Sequence, residues 1–190
     1  MKYYIEKQKK TRKKIMDAYM FLYSKNSFQK ITVKKVCDHA QVHRSTFYLH
    51  YESIDFLLRE IEDFLLSEIE KRSFEIQKVQ TRKLFNEMDA REPIYELMDY
   101  FIANRGYFIP LLRLQGSEYF KKKINGIVQE FILKFVYGLD IDLGKYKQHI
   151  VVFLASGMID CIYSVIDDNK MDRFELGDLL MERIGVHLKI

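Results

Sequence analysis

Apolar residues in this chain recur at spacings of three and four almost from end to end, and almost nowhere do they alternate with polar ones. That period belongs to helices with one buried face, not to half-buried strands. The scarcity of turn formers agrees. The 190 residues include only 8 Gly and 2 Pro, too few for a turn-rich β-sandwich or a collagen-like chain. An apolar share of 48% is too high for a disordered chain, and the length suffices for one domain or two small ones. The expected fold class is therefore all-α.

The net charge of +4 conceals an uneven distribution. Residues 1–51 carry 12 Lys/Arg against 3 Asp/Glu, a net +9, and residues 52–190 carry 19 against 24, a net −5. A split this sharp points to a polyanionic partner for the first part, although a solvated basic face accounts equally well for a basic run alone. Two cysteines, Cys37 and Cys161, form no CxxC and are too few for a disulfide scaffold, so a reducing, cytoplasmic setting is expected. The longest apolar run, Ile150 to Ile166, is 17 residues with Asp160 inside it, short of the roughly 20 that a bilayer needs. It reads as a helix buried in protein, with no membrane partner and no secretory segment.

The periodicity predicts a first helix over about 6–25. Ile15, Ala18, Tyr19 and Leu22 form its apolar stripe, Lys9, Lys10, Lys13 and Lys14 crowd its start, and Asn26-Ser27 ends it. Thr32 suits the N-cap of a short helix over 33–40, Gln41-Val42 a tight turn, and a second short helix follows over about 44–50. Ser53 then caps a long helix with Leu57, Leu58, Ile61, Phe64, Leu65 and Ile69 facing inward. Residues 70–91 read as that helix's tail and a loop. Pro93 suits the first turn of a helix to about 104, and Gly106 and Pro110 interrupt or bend the next. Ser117 caps a helix to about 137, and a final pair covers about 145–167 and 172–188. The expected domains are 1–53 and 54–190.

The segment Thr32 to Tyr51 reads TVKKVCDHAQVHRSTFYLHY. Two short helices around a tight turn, flanked by a basic helix and a long one, follow helix-turn-helix grammar. Val33, Val36, Ala40, Val42 and Phe47 would pack the two helices together. His43, Arg44, Ser45, Thr46, Tyr48 and His50 would stay exposed on the second. Each can hydrogen-bond and none is acidic, so this face can enter a major groove without repulsion from phosphates.

These residues resemble the TetR (AcrR) family of transcriptional regulators. The match spans about residues 10–66: Ile15-x-x-Ala18, Ile31-Thr32-Val33, and Val42-His43-Arg44-Ser45-Thr46-Phe47-Tyr48-x-His50-Tyr51. Further along, Asn104-Arg105, Leu111-Leu112, Glu118-Tyr119-Phe120 and the Phe153 to Ile166 helix with Gly157 resemble a Firmicutes branch that includes dihydroxyacetone-regulon regulators. The resemblance implies a three-helix DNA-binding domain followed by a helical regulatory and dimerisation domain. It implies that Thr32 and Lys34 or Lys35 touch phosphates, that Arg44, Ser45 and Thr46 face base edges, and that Tyr48 and His50 contact the backbone. Phe47 and Tyr51 would be core. Three positions depart from the family pattern. Gln41 stands where glycine is usual, at a cost of roughly 1 kcal/mol if the residue is left-handed. His43 replaces a better cap but can donate to a base or phosphate. Ile54 replaces a lysine, removing one phosphate contact.

The remaining groupings carry less. Cys37, His39 and His43 are close in sequence, but residues two apart on a helix face different ways and no fourth ligand is visible, so no metal is expected. No catalytic triad, paired carboxylates or phosphate loop appears, so neither an enzyme nor a cofactor is expected. The second half is rich in aromatics, for most of which core packing is the simpler account. Phe101, Phe108, Tyr119, Phe131 and Phe135, with Arg105 and Gln115 as polar candidates, are the residues from which a pocket for a small apolar or aromatic effector would be built. The helix around residues 150–166 is apolar over most of its circumference, which calls for a partner chain on one side. Phe153, Leu154, Gly157, Met158, Cys161 and Ile162, with Leu176 and Leu180 on the next helix, are the expected homodimer interface. Asp160 would pair with a partner cation or a ligand.

The function expected from the sequence is a homodimeric, sequence-specific regulator on an inverted-repeat operator in double-stranded DNA, a repressor released by a small effector. The alternatives are a ligand-blind regulator or coactivator controlled by a protein partner, and a helical lipid-binding protein or enzyme with a basic N-terminal arm.

Overall fold

The computed structural model describes residues 2–25 and 30–188, with side chains from Glu6 onward. Every regular element among these residues is helical. The expected helix end at Asn26-Ser27 lies outside them. The chain divides into two compact units, residues 1–65 with 113–115, and residues 66–112 with 116–190.

The first unit contains α1 (Lys2–Lys25), α2 (Val33–Ala40), α3 (Arg44–Tyr48) and the first half of α4 (Ile54–Lys78). Its core is the expected set of helical stripes. Ile15, Ala18, Tyr19 and Tyr23 come from α1, Val36 and Ala40 from α2, Phe47 from α3, and Leu57, Ile61 and Leu65 from α4. Burying a side chain the size of Phe47 contributes about 1.5–3 kcal/mol. Five positions differ from expectation, and Val33, Val42 and Leu58 are half-buried rather than inside. Leu22 is only half-buried. Phe64 is 53% exposed, and its neighbour Leu66 is buried instead. Arg12 on α1 pairs with Glu60 on α4 and lies 5.3 Å over the Tyr51 ring. Arg113 donates to the carbonyls of Tyr23 at 2.6 Å and Ser24 at 2.9 Å. It thereby satisfies acceptors in the last turn of α1, where a cation is favoured.

The second unit holds the rest of α4 with α5 (Thr81–Asn86), α6 (Glu92–Ala103), α7 (Arg105–Leu112), α8 (Glu118–Gly138), α9 (Lys147–Asp168) and α10 (Arg173–Leu188). The stretch expected to be loop after residue 70 is more ordered than its polarity implies. α4 continues to Lys78, and α5 and a 3-10 turn over Met88–Arg91 follow. Arg91 accounts for part of that order, donating to the carbonyls of Leu84 and Phe85 and to Asp178 at 2.7 Å. Pro93 sits in the first turn of α6, and Ser117 caps α8 by accepting from Phe120 N. Pro110 does not break α7 but lies inside it. Gly177 lets α10 approach α6, since a Cβ there would come within 2.8 Å of the Tyr95 ring.

α9 is buried along one face, not all round. Val151, Leu154, Ala155, Ile159, Ile162, Val165 and Ile166 face the core, while Phe153, Gly157, Asp160 and Ser164 face out. Four of the eight residues expected at a dimer interface are thus used within the chain's own core: Leu154, Ile162, Leu176 and Leu180. Phe153 and Gly157 are exposed, and Met158 and Cys161 are half-buried. Periodicity alone could not assign the faces because apolar residues occupy several of them. With its preceding turn, α9 is long and apolar enough to cross a membrane by length and composition, so the 17-residue count understated it.

Candidate nucleic-acid interface

α2 begins where Thr32 adopts an extended conformation (φ −124°, ψ 155°) and its hydroxyl accepts from Lys35 N at 3.3 Å. This is the N-cap expected from the sequence, worth about 1 kcal/mol. α2 ends at Gln41, which is left-handed at φ 55°, ψ 48°. A residue with a Cβ is strained there. The conformation nevertheless makes the turn. Val42 N donates to Cys37 O at 3.1 Å and the chain reverses into α3. His43 occupies the N-cap of α3 in an extended conformation but makes no side-chain capping bond, which leaves its ring available. α3 ends at Tyr48, two residues before the expected end.

Phe47 fixes the orientation of α3. It is fully buried, with its ring edge-on to Tyr48 at 5.5 Å and tilted against Tyr51 at 5.7 Å. With Phe47 inside, the opposite side of α3 must face out. His43, Arg44, Ser45 and Tyr48 are exposed, and Thr46 and His50 are half-buried. Thr32, Lys34 and Lys35 are exposed at the start of α2, where Lys35 Nζ donates to Lys30 O at 2.8 Å. The nine candidate residues therefore fall on two consecutive helices and their flanks within one unit.

Partial burial, reinforced by the nearby Arg12 guanidinium, lowers the pKa of His50, with Glu60 opposing. At neutral pH its imidazole is uncharged and offers one N–H donor rather than a cation. Burial raises the Tyr51 hydroxyl pKa far above the ordinary tyrosine range, so it stays protonated. Burial likewise raises the Cys37 thiol, which disfavours the thiolate a metal would need. Cys37 points inward, while His39 is exposed and stacks on Phe21 at 4.5 Å. Among the described residues no three His, Cys, Asp or Glu side chains gather at a metal-binding spacing.

The structure adds residues that the motif alone did not select. Lys7, Lys10 and Lys14 line a groove of about 440 Å³ that Thr11, Val42 and one carboxylate, Glu6, also border. Their spacing of three and four was the available signal, since it places all three on one helical face beside the turn. Leu49, just past α3, is 81% exposed and shares a face with Ser45 four residues earlier.

The residues expected for an effector pocket converge only in part. Phe101 and Phe108 pack at 4.8 Å and Phe131 and Phe135 at 4.6 Å, all four buried. Arg105 and Gln115 are exposed, and Gln115 belongs to the first unit. Phe101 and Phe131 border a cavity of about 40 Å³, and Tyr119 borders a separate groove. The aromatics largely fill the space they were expected to enclose.

An all-α chain with a helix-turn-helix of this form has the fold of the TetR-family transcriptional regulators. The crystal structure of a TetR transcriptional regulator from Streptococcus agalactiae matches 96% of this chain and 97% of its own, with a TM-score of 0.64 and 23% identity. The regulator FadR from Bacillus subtilis, in complex with stearoyl-CoA, matches 90% of this chain and 96% of its own at TM-score 0.61 and 17% identity. The dihydroxyacetone kinase operon activator DhaS matches 94% and 96% at TM-score 0.59 and 16% identity. No protein-family profile and no curated protein sequence matches the chain.

Proposed function

We propose that this chain is a DNA-binding transcriptional regulator rather than an enzyme, acting in the cytoplasm as a homodimer on an inverted-repeat operator. The observation that carries this reading is the outward face of α3. It presents Arg44, Ser45, Tyr48 and His43 with no carboxylate among them, and the buried Phe47 sets its orientation. Arg44 opens the helix, where a guanidinium can reach a guanine edge. Thr32, Lys34, Tyr48 and His50 act as phosphate contacts that set position without reading sequence. Lys7, Lys10 and Lys14 extend that positive surface.

Dimerisation is assigned to the outward faces of α9 and α10. Phe153 is 65% exposed and Val186 61%, and the Phe153 ring lies 6.0 Å from His187, so the two helices present one continuous surface. Gly157 adds a small residue where a second helix can approach. In this reading an effector in the second unit favours dimers whose α3 helices no longer match the half-site spacing, and the regulator is a repressor released by that effector. A neighbour of the same fold is in complex with stearoyl-CoA, which supports a small-molecule effector here.

A ligand-blind regulator governed by a protein partner is the second reading. The observation favouring it is the filled aromatic interior, where about 40 Å³ remains.

Genomic fragments selected on the purified protein test the central reading, and they should share two half-sites related by a two-fold axis. Sedimentation should show a dimer at micromolar concentration. Phe153→Glu should give folded monomers that keep weak non-specific binding. Fragments with no common sequence would remove the regulator reading, and a wild-type monomer would remove the inverted repeat.

A further inference from the structure

A groove of about 750 Å³ runs between α4 and α8 on the surface of the second unit. Phe74 lies in it 58% exposed, and Tyr119 and Ile127 are half-buried on the α8 side. Gly126, in the interior of α8, borders it as well. Glycine is a poor helix former, and nothing in the packing requires it there, because a Cβ would meet no atom within 4 Å. The missing side chain leaves the groove open midway along the helix.

Charged side chains rim this apolar floor in a definite order. On α8, Lys122 and Lys123 come first, Glu130 follows about two turns later and Lys134 one turn after that. Lys134 Nζ donates to Gln77 Oε1 at 2.7 Å, which ties that end of the groove to α4. Glu70 also borders the groove, about 10 Å back along α4 from Gln77, so it falls in the middle stretch as Glu130 does. Cations therefore stand toward both ends, with carboxylates between them. Tyr119 to Lys134 covers about 22 Å of helix, so the separated lysines suit an elongated partner and not one small charged group.

We propose that this groove seats one amphipathic helix of a second protein, with acidic side chains toward both its ends and basic ones between them. Two helices side by side form a channel that a third fills by packing its ridges into their groove. An extended segment would find no strand edge to bond to, since every regular element among the described residues is helical. Glu70 and Glu130 repel a nucleic acid or an anionic membrane from the same place. Apolar residues of the partner, spaced three and four apart, meet Phe74, Ile127 and the space at Gly126, and the ion pairs form around them at the rim. None of the residues bordering the groove belongs to α9 or α10, so it stays accessible in a dimer formed through those helices. α4 belongs to both units, so a helix seated on its second half bears on the element whose first half carries Leu57 and Ile61 in the core of the first. The inference rests on the reading in which a protein partner governs the regulator, and it names the surface and that partner's chemistry.

Fluorescence anisotropy of a labelled peptide on the full chain tests it. The peptide is about four helical turns long. It carries leucines on one face, glutamates near both ends and lysines at the centre, and its control has glutamates and lysines exchanged. The first should bind about tenfold more tightly than the control. The double substitution Lys122→Glu, Lys123→Glu should weaken that binding. Of two peptides with lysines placed at a single end, one should restore it, which also fixes the direction of the bound helix. Gly126→Leu should abolish binding without lowering the melting temperature. No binding by either peptide, preference for the control, or binding that Gly126→Leu leaves intact would overturn the site. A mobility-shift assay on the same samples separates the two readings. Peptide binding with no change in DNA affinity retains the groove and removes the governing role. A change in DNA affinity that persists in Gly126→Leu retains control by a partner helix and removes this groove.

Discussion

The two units keep their candidate functional residues in opposite places. In the first, the polar side chains that matter point outward from α2 and α3, and the aromatic Phe47 beneath them orients the face. In the second, the aromatics are inside, where Phe101, Phe108, Phe131 and Phe135 are buried against one another. An outward face needs only that its helix be correctly anchored. An interior site needs a void that packing has not filled. The first kind of function follows from a short stretch of chain and the second from the assembly of seven helices.

That contrast is broken most severely by removing the anchor. Phe47→Ala should cost about 3–5 kcal/mol of stability in the first unit. DNA binding should be lost, while hydrogen exchange in α8 and α9 stays at its wild-type level. Uniformly faster exchange across both units would show that they do not respond separately.

A smaller effect sharpens the assignment of the outward face. Arg44→Ala should weaken specific DNA binding by about 1–3 kcal/mol and relax the preference at one position per half-site. Tyr48→Phe should weaken all sequences about equally. Quantitative footprinting on matched and mismatched sites distinguishes the two, and equal losses on both sites for Arg44→Ala would remove its base contact.

The difference between the units also explains what the sequence made legible. Thr32, Ser53 and Ser117 each accept from a backbone N–H three residues on, so the helix starts were encoded within four residues and could be read directly. Gln41 in the left-handed turn was legible for the same reason. The faces of α9 were not. Phe153 and Leu154 are adjacent and both apolar, and which of them turns inward depends on the helices packed against α9. The same limit applied to the expected pocket, because a list of aromatics does not tell whether they enclose a space or fill it. α5 was hidden by its polar sequence, of which Leu84 is the one buried residue.

The smallest expected effect is at the turn. Gln41→Gly relieves the left-handed strain and should stabilise the first unit by up to about 1 kcal/mol, whereas Gln41→Val should destabilise it. Thermal melts in the opposite order would show that the turn tolerates a side chain for a reason other than local geometry.

The central claim is that the first unit is a surface for a polyanion, and its most direct test is the salt dependence of DNA binding by the wild-type protein. Residues 1–51 carry a net +9, and the outward faces of α1, α2 and α3 present Lys7, Lys10, Lys14, Lys34 and Arg44. If about 6 phosphates are neutralised per dimer, the logarithm of the affinity should fall against the logarithm of salt concentration with a slope near −5. Binding that is unchanged as salt rises would contradict the account.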